Sequence, residues 1–232
     1  MKLVTLNIQH GGGNRISAIL EYLQSQNADV IVLTEFRANR NAKILRSHLF
    51  KLGFLYFAAA SINPKENSVC IFSRQAFVPR TYSSLPVQDR HRLISAHFDS
   101  LAIYGVYFPQ KKAKASLFQF LSTGKHQPFE SAHFITGDFN TGNHFQDEEG
   151  RTFHCSENFK QLSESGLIDS WRSRNQNIKE FSWYSSHGNG FRIDHIFSNP
   201  EADNVIQDIY YDHATRESKT SDHSALIVES VR

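Results

Sequence analysis

The residues best suited to chemistry in this chain are polar side chains that interrupt or end short apolar runs. Asn7 closes LVTLN, Glu35 closes VIVLTE, Asp138 and Asn140 follow AHFIT in GDFN, Asp194 lies inside FRIDHIF, and Asp222-His223 precedes SALIVES. Oxygen donors dominate this set, which suits a hard cation; no group of soft ligands favours zinc. Such a cation, with a carboxylate and an imidazole for proton traffic, matches what hydrolysis of a phosphodiester needs. Those needs are an activated water, a counter-charge for the developing oxygens and help for the leaving alkoxide. Each residue alone has a plainer reading. Asp and Asn after a strand commonly bond neighbouring backbone groups in a turn, Glu35 could be a solvent-exposed strand end, and Asp222-His223 a surface turn. Asp194 is harder to dismiss, because a carboxylate between Ile193 and His195 within a strand needs a partner on whichever face it meets.

These positions ask for strands to carry them. Leu3 to Leu6 and Asp29 to Leu33 are apolar runs flanking a segment where Ile16, Ile19, Leu20 and Leu23 recur at helical spacing, with Asn14 as the expected N-cap. A strand, helix, strand unit of this kind joins parallel strands and sets Asn7 and Glu35 at neighbouring strand ends. NSVCIFSR, HRLISAHF, LAIYGVYF, AHFITG, FRIDHIFS and SALIVES read as further strands, at least eight in all. Helices are expected from Asn39 to Leu52, from Ala113 to Leu121, and from Ser156 to Ser165, the last capped by Ser156 and ended by Gly166. There is no repeat, low-complexity tract or linker. The pattern fits an α/β chain with two packed sheets flanked by helices, one domain over residues 1–232.

Composition agrees and excludes little else. The chain has 232 residues, 40% hydrophobic and 21% charged, enough to bury a continuous core. A net charge of +2 permits a polyanionic partner without demanding one. No segment approaches the ~18 apolar residues a membrane span needs, so a monomeric cytoplasmic protein without a membrane partner is expected. Cys70 and Cys155 are isolated and read as two partly buried free thiols in a reducing compartment.

Taken in order, LNIQH, LTEF, GVYFPQ, ITGDFN, FSWYSSHGNGFRIDHIF and TSDHSAL resemble the endonuclease/exonuclease/phosphatase superfamily over residues 3 to 228. GDFN, RIDHIF and a terminal SDH are specific together, and GLIDSWR at 166 to 172 also looks like a family segment. The resemblance implies a four-layer α/β/β/α sandwich of two mixed sheets, with the site at one open end where the loops of both sheets converge. It implies Glu35 as principal metal ligand with Asn7 assisting and Asp222 contributing through water, and magnesium or manganese as the ion. Asp138 matches the base that orients and deprotonates the attacking water, and Asn140 the neighbour that fixes this geometry. His223 matches a donor to the phosphoryl oxygens, held and kept protonated by Asp222. Asp194 would orient the site or assist the leaving group.

Tyr107 in GVYFPQ is similar to the Tyr-Phe-Pro-Gln segment of exonuclease III-like and apurinic/apyrimidinic endonucleases, where the phenol reaches the scissile phosphate. Trp183 matches a family tryptophan near the lesion or terminal nucleotide, with a core tryptophan as the plainer alternative. Arg37 instead resembles the Glu-x-Arg of deoxyribonuclease I. Thr34-Glu35-Phe36-Arg37 departs from the Gln-Glu-Thr-Lys type of sequence, and Gln9 stands where an Asp or Asn is common. Two basic clusters, Arg37, Arg40, Lys43 and Arg46, then Lys111, Lys112 and Lys114, adjoin site segments; they are either phosphate contacts or solvated helix faces. The leading expectation is a DNA nuclease, acting at abasic sites, at 3′ ends or without specificity. The alternative is a hydrolase of RNA or of small phosphate esters, and a catalytically dead binding module is argued against by the full catalytic set.

Overall fold

The structure is a computed structural model and describes residues 1–123 and 131–231. Among these residues the strands are β1 (Lys2–Asn7), β2 (Val30–Phe36), β3 (Tyr56–Ala59), β4 (Ser68–Ser73), β5 (Val78–Arg80), β6 (Leu93–His97) and β7 (Leu101–Tyr107). They continue as β8 (Ala132–Asp138), β9 (Ile168–Asp169), β10 (Trp183–Tyr184), β11 (Gly190–Phe191), β12 (Asp194–Ser198), β13 (Ile206–Asp212) and β14 (Ala225–Ser230). Four longer helices, α1 (Ile16–Gln26), α2 (Arg40–Lys51), α3 (Ala115–Ser122) and α4 (Ser156–Glu164), are joined by the short α5 (Ser170–Arg174), α6 (Pro200–Asp203) and α7 (Ala214–Glu217).

Two six-stranded sheets form, ordered β13-β14-β1-β2-β4-β3 and β5-β6-β7-β8-β12-β9, with β10-β11 as a separate hairpin. Each is mixed: β1 runs parallel to β2, and β7 to β8, while the other pairs within the two sheets are antiparallel. Alternation along the strands dictates the layers. Leu3, Val30, Val32 and Val69 face Ile94, Ile103, Phe134 and Ile196 in a core between the sheets. Val4, Leu6, Ile31 and Leu33 pack instead on Ile19, Leu23, Leu45 and Leu49 of α1 and α2, and Val106, Ile135 and Phe197 pack on Phe118 and Phe159 of α3 and α4. The result is the expected helix, sheet, sheet, helix sandwich. Among the polar bonds that cross between the sheets is Thr5 Oγ1 to Thr136 Oγ1 at 2.8 Å, so both hydroxyls are satisfied where no water reaches.

Local expectations hold with three corrections. Asn14 does not cap α1; the chain enters through a 3₁₀ turn over His10–Arg15 with left-handed Gly11, Gly12 and Gly13, and Arg15 occupies the cap without a side-chain bond. Ser156 is the first residue of α4 rather than its cap, a place taken by left-handed Cys155, and its hydroxyl donates to Gly142 O at 2.8 Å. Asp194 begins β12 instead of lying within it. Asn39 does accept from Asn41 N at the start of α2, and Gly166, at φ +93°, follows the end of α4. Both cysteines are free, Cys70 buried and Cys155 partly so. No helix among the described residues is long and apolar enough to cross a membrane.

Candidate active site

The parallel pair β1 and β2 brings Asn7 beside Thr34, so Asn7 and Glu35 end adjacent strands on one edge of the sandwich. Glu35 sits in a register shift of the β2–β4 pair and has a left-handed backbone, φ +53°. A bulge held in that region costs energy for a residue with a Cβ and re-aims its side chain. The carboxylate is divided in use. Glu35 Oε2 accepts from His10 N at 2.9 Å and Asn67 Nδ2 at 3.0 Å, whereas Oε1 has only two long partners, Asn7 Nδ2 and Tyr107 Oη, each at 3.4 Å. Oε1 is therefore the oxygen left open to a ligand.

Asp138 closes β8 directly behind Gly137, where only glycine fits: φ is +149°, and a Cβ would lie 1.8 Å from Val106 O. Asp138 Oδ1 accepts from Asn140 N at 2.9 Å, and Oδ2 from Asn7 Nδ2 at 3.0 Å, which joins the ends of the two sheets. Asn140 is also left-handed, at φ +52°; its amide donates to Phe108 O at 2.9 Å and its Oδ1 accepts from Gln110 Nε2 at 2.6 Å. Burial first, then the neighbouring Asp194 carboxylate, push Asp138 up to about 7. Lys114 Nζ bonds Asn140 O, and burial lowers its ammonium to about 8.

The expected pairing of His223 with Asp222 is wrong. His223 Nδ1 meets Asp194 Oδ2 at 2.7 Å, and Asp222 Oδ2 instead accepts from Trp183 Nε1 at 3.2 Å. Adjacent residues entering a strand point to opposite sides, so the neighbour in sequence is the wrong partner. Burial alone would lower the imidazole, but the Asp194 carboxylate outweighs it and holds His223 up at about 10, with smaller help from Asp138 and Asp222. Ser182 Oγ accepts from both Ile193 N and Asp194 N at 3.1 Å, fixing the carboxylate's backbone.

Behind these residues lies a buried ionic strut that sequence reasoning missed. Arg192, fully buried, bonds Asp147 Oδ1 through Nε at 2.7 Å and Asp169 Oδ2 through Nη2 at 2.6 Å; Arg172 adds a bond to Asp147 Oδ1 at 2.9 Å. Asp169 also caps α5. The strut ties GLIDSWR to the strand carrying Asp194 and to the 141–154 loop, and it explains the Asp and Arg of that segment. Burial opposes ionisation of Asp169 and Asp147, yet the guanidinium of Arg192 holds both below the ordinary carboxylate range.

A cleft of about 260 Å³ gathers Glu35, Asp138, Asn140, Trp183, Asp222, His223 and Lys111, all singled out from sequence. Asn7, Asp194 and Tyr107 reach it through the bonds above, and burial, then Glu35 and Asp138, raise the Tyr107 phenol so that it stays protonated. Trp183 is only half-buried, with Phe191 5.7 Å from it centre to centre, so it is a cleft wall and not a core residue. Arg37 bonds Asn67 Oδ1 at 2.6 Å beside Glu35. Arg40, Lys43 and Lys112 are exposed and do not line the cleft. Missed from sequence were Asn67, which holds Glu35 from outside the cleft lining, and, within the lining, Gln110 and the wall of Thr152, Phe153 and His154. Asn67 precedes a strand as the other site residues end theirs, a signal available in principle; nothing marked the 152–154 segment.

The donors fit a hard cation. Asp194 Oδ1 and Asp222 Oδ1 are buried with no hydrogen-bond partner, and Glu35 Oε1 is nearly free. Asp138, Asp194 and His223 also offer ligand atoms within 4.8 Å of one another. Their closeness is accounted for by the His223–Asp194 ion pair, so the open oxygens of Glu35 and Asp222 are the better cradle.

A family model described as the Endonuclease/Exonuclease/phosphatase family matches residues 4–223. Comparison with curated proteins finds no match. Among solved structures, the 3′ phosphatase NExo from Neisseria, bound to product DNA hairpin, has a TM-score of 0.85 at 22% identity, covering 100% of both chains. An AP endonuclease from Archaeoglobus fulgidus gives 0.85 at 21% identity, and the 3′-5′ exonuclease NExo from Neisseria meningitidis gives 0.84 at 22%, again over 100% of each chain.

Proposed function

The chain belongs to the endonuclease/exonuclease/phosphatase family, and from that membership we propose that it is a metal-dependent phosphodiesterase acting on DNA. The observation that carries this reading is the meeting of Glu35, Asp138, Asn140, Asp222 and His223 in one cleft at the shared end of both sheets. Glu35, Asn7 and Asp222 would hold magnesium or manganese, which when bound supplies a positive charge to the phosphate oxygens. Asp138 takes the proton of the attacking water; its Oδ1 has a single partner, the Asn140 amide, leaving a lone pair free. His223 is charged, and its Nε2 is the ring's remaining donor, suited to an oxygen that gains negative charge. Tyr107, held protonated, donates a second hydrogen bond. Lys111, in the cleft wall, is the first candidate phosphate contact, and Arg37, Arg40, Lys43 and Lys112, outside that wall, are candidates for a longer substrate.

The wall formed by Trp183, Phe153 and Phe191 favours a substrate with an end or a missing base over an unbroken stack, since a terminal group fits a walled cleft of this size. The names of the similar structures, a 3′ phosphatase and an AP endonuclease, support the same choice. The test is a panel of plasmid, abasic duplex, DNA with a 3′-phosphate, single-stranded DNA, RNA and a soluble phosphomonoester, each with magnesium, manganese or chelator. Chelator-sensitive cleavage of abasic or 3′-blocked DNA ahead of the soluble ester is the expected result. Faster turnover of the soluble ester than of every nucleic acid would overturn it.

A further inference from the structure

Asp222 borders a second depression as well as the cleft: a groove of about 440 Å³ whose walls carry Arg15, Arg216, Lys219, Gln9 and Tyr184. None of these three cations forms an ion pair among the described residues. They are held by uncharged groups. Arg15 donates to the carbonyls of Thr220 at 3.1 Å and Gln9 at 2.9 Å. Arg216 donates to Ser224 Oγ at 3.2 Å and lies 4.6 Å over the Tyr184 ring. Lys219 is exposed on a left-handed turn, φ +60°. A nearby acid, Glu180, is taken by His213 at 3.2 Å. Three like charges fixed around one groove repel one another, and Asp222, the single carboxylate among its lining residues, offsets only one of them, so the positive field that remains is one an anion would relieve.

Tyr184 follows Trp183 in β10, so the two rings stand on opposite sides of that strand. Trp183 lines the cleft and Tyr184 the groove, with Asp222 common to both. Arg216 covers one side of the Tyr184 ring, and the ring remains 40% exposed. A substrate confined to the cleft gains nothing from these groups, while a chain of phosphates passing over Asp222 meets all of them.

We propose that this groove is the track of the nucleic-acid strand beyond the scissile phosphate, with Arg15, Arg216 and Lys219 on backbone phosphates and Tyr184 stacking on a base. It rests on the phosphodiesterase reading above and adds to it a direction: the strand leaves the cleft across Asp222. The groups named contact backbone and ring faces, so they bind without reading sequence.

The test is a salt titration of binding to a DNA hairpin with a single-stranded tail, calcium replacing magnesium. Arg216→Gln with Lys219→Asn, asparagine being tolerant of the left-handed turn, should flatten log affinity against log salt by about 1 to 2 units, near 0.7–0.9 per lost phosphate contact. In parallel, the ratio of hairpin cleavage to hydrolysis of bis(p-nitrophenyl) phosphate should fall about tenfold. Should the double variant melt early by circular dichroism, Lys219→Asn alone carries the test, with half the change in slope. An unchanged slope, or equal loss on both substrates, overturns the track. A wild-type protein that hydrolyses the small ester alone, yet whose hairpin binding loses slope in the variant, would sink the DNA phosphodiesterase reading and leave the groove standing as a polyanion site.

Discussion

His223 Nδ1 lies 2.7 Å from Asp194 Oδ2, a contact between the loop before β14 and the first residue of β12, and so between the two sheets. The pair sets the imidazole's orientation and its charge together. His223→Ala should lower kcat by on the order of 10²–10³ with little change in KM, as expected for a donor used in the transition state. Asp194→Asn should reproduce most of that loss, whereas Asp222→Asn should act through the metal requirement. Equal metal-titration midpoints for Asp222→Asn and the wild type would refute this division of labour.

Glu35→Gln keeps the shape of the side chain and removes its negative charge as a ligand, so the magnesium concentration giving half-maximal rate should rise by about tenfold or more, an order-of-magnitude expectation for a hard-cation site. Asp138→Asn should instead remove most turnover at any magnesium concentration. Both are to be read beside a thermal melt; near-normal turnover of Asp138→Asn at saturating magnesium would remove it as the base.

Arg192 joins two carboxylates with no exposure of its own. Arg192→Ala leaves Asp169 buried without its guanidinium and Asp147 with Arg172 as its one remaining arginine, a loss of about 3–5 kcal/mol and roughly 10 °C in Tm for a chain of this size. The cleft wall at 152–154 should loosen too, visible as faster amide exchange there.

The same strut gives a signed pH dependence. Asp169 and Asp147 titrate lower in the fold than in the unfolded chain, so the unfolded chain binds more protons between the two values. Their contribution is fully present above about pH 4, the unfolded carboxylate value, and is lost as pH falls through the folded values. Unfolding free energy should therefore drop steeply below pH 4 in the wild type. Arg192→Met should flatten that limb; an identical acid limb in the two proteins would show that other groups set it.

Trp183→Phe retains an aromatic wall and removes the bond to Asp222, while Trp183→Ala removes both. The alanine variant should lose roughly 1–3 kcal/mol of transition-state stabilisation on abasic or terminal substrates with an unchanged salt slope. If phenylalanine is as damaging as alanine, orientation of Asp222 is the ring's main task.

Much of this was legible in sequence because strands buried between layers must be apolar, so their polar ends stand out. The runs ending in Asn7, Glu35 and Asp138 carried both the fold and the site. β13 escaped because IQDIYYD is partly exposed and carries charge, and β5 because VPR is short, exposed and holds a proline. Partnership was the harder quantity. Asp222 is next to His223 in the chain, yet Asp194, 29 residues away, is its partner, since strand alternation and not proximity decides which side chains meet. Arg192 and Asp147 are 45 residues apart, and no local pattern marks a bond of that span. Lys114 read as one more surface charge although it is 1% exposed.

Ser221 Oγ donates to Asn7 O across 214 residues of chain at 2.5 Å, and β14, which follows Asp222 and His223, inserts between β13 and β1. A ribosome therefore releases Asn7, Glu35 and Asp138 well before the segment that pairs with β1 and delivers the histidine. Until β14 docks, the nascent chain holds an unfinished sheet and no working centre, so the order of synthesis withholds activity until the segment carrying His223 has been made.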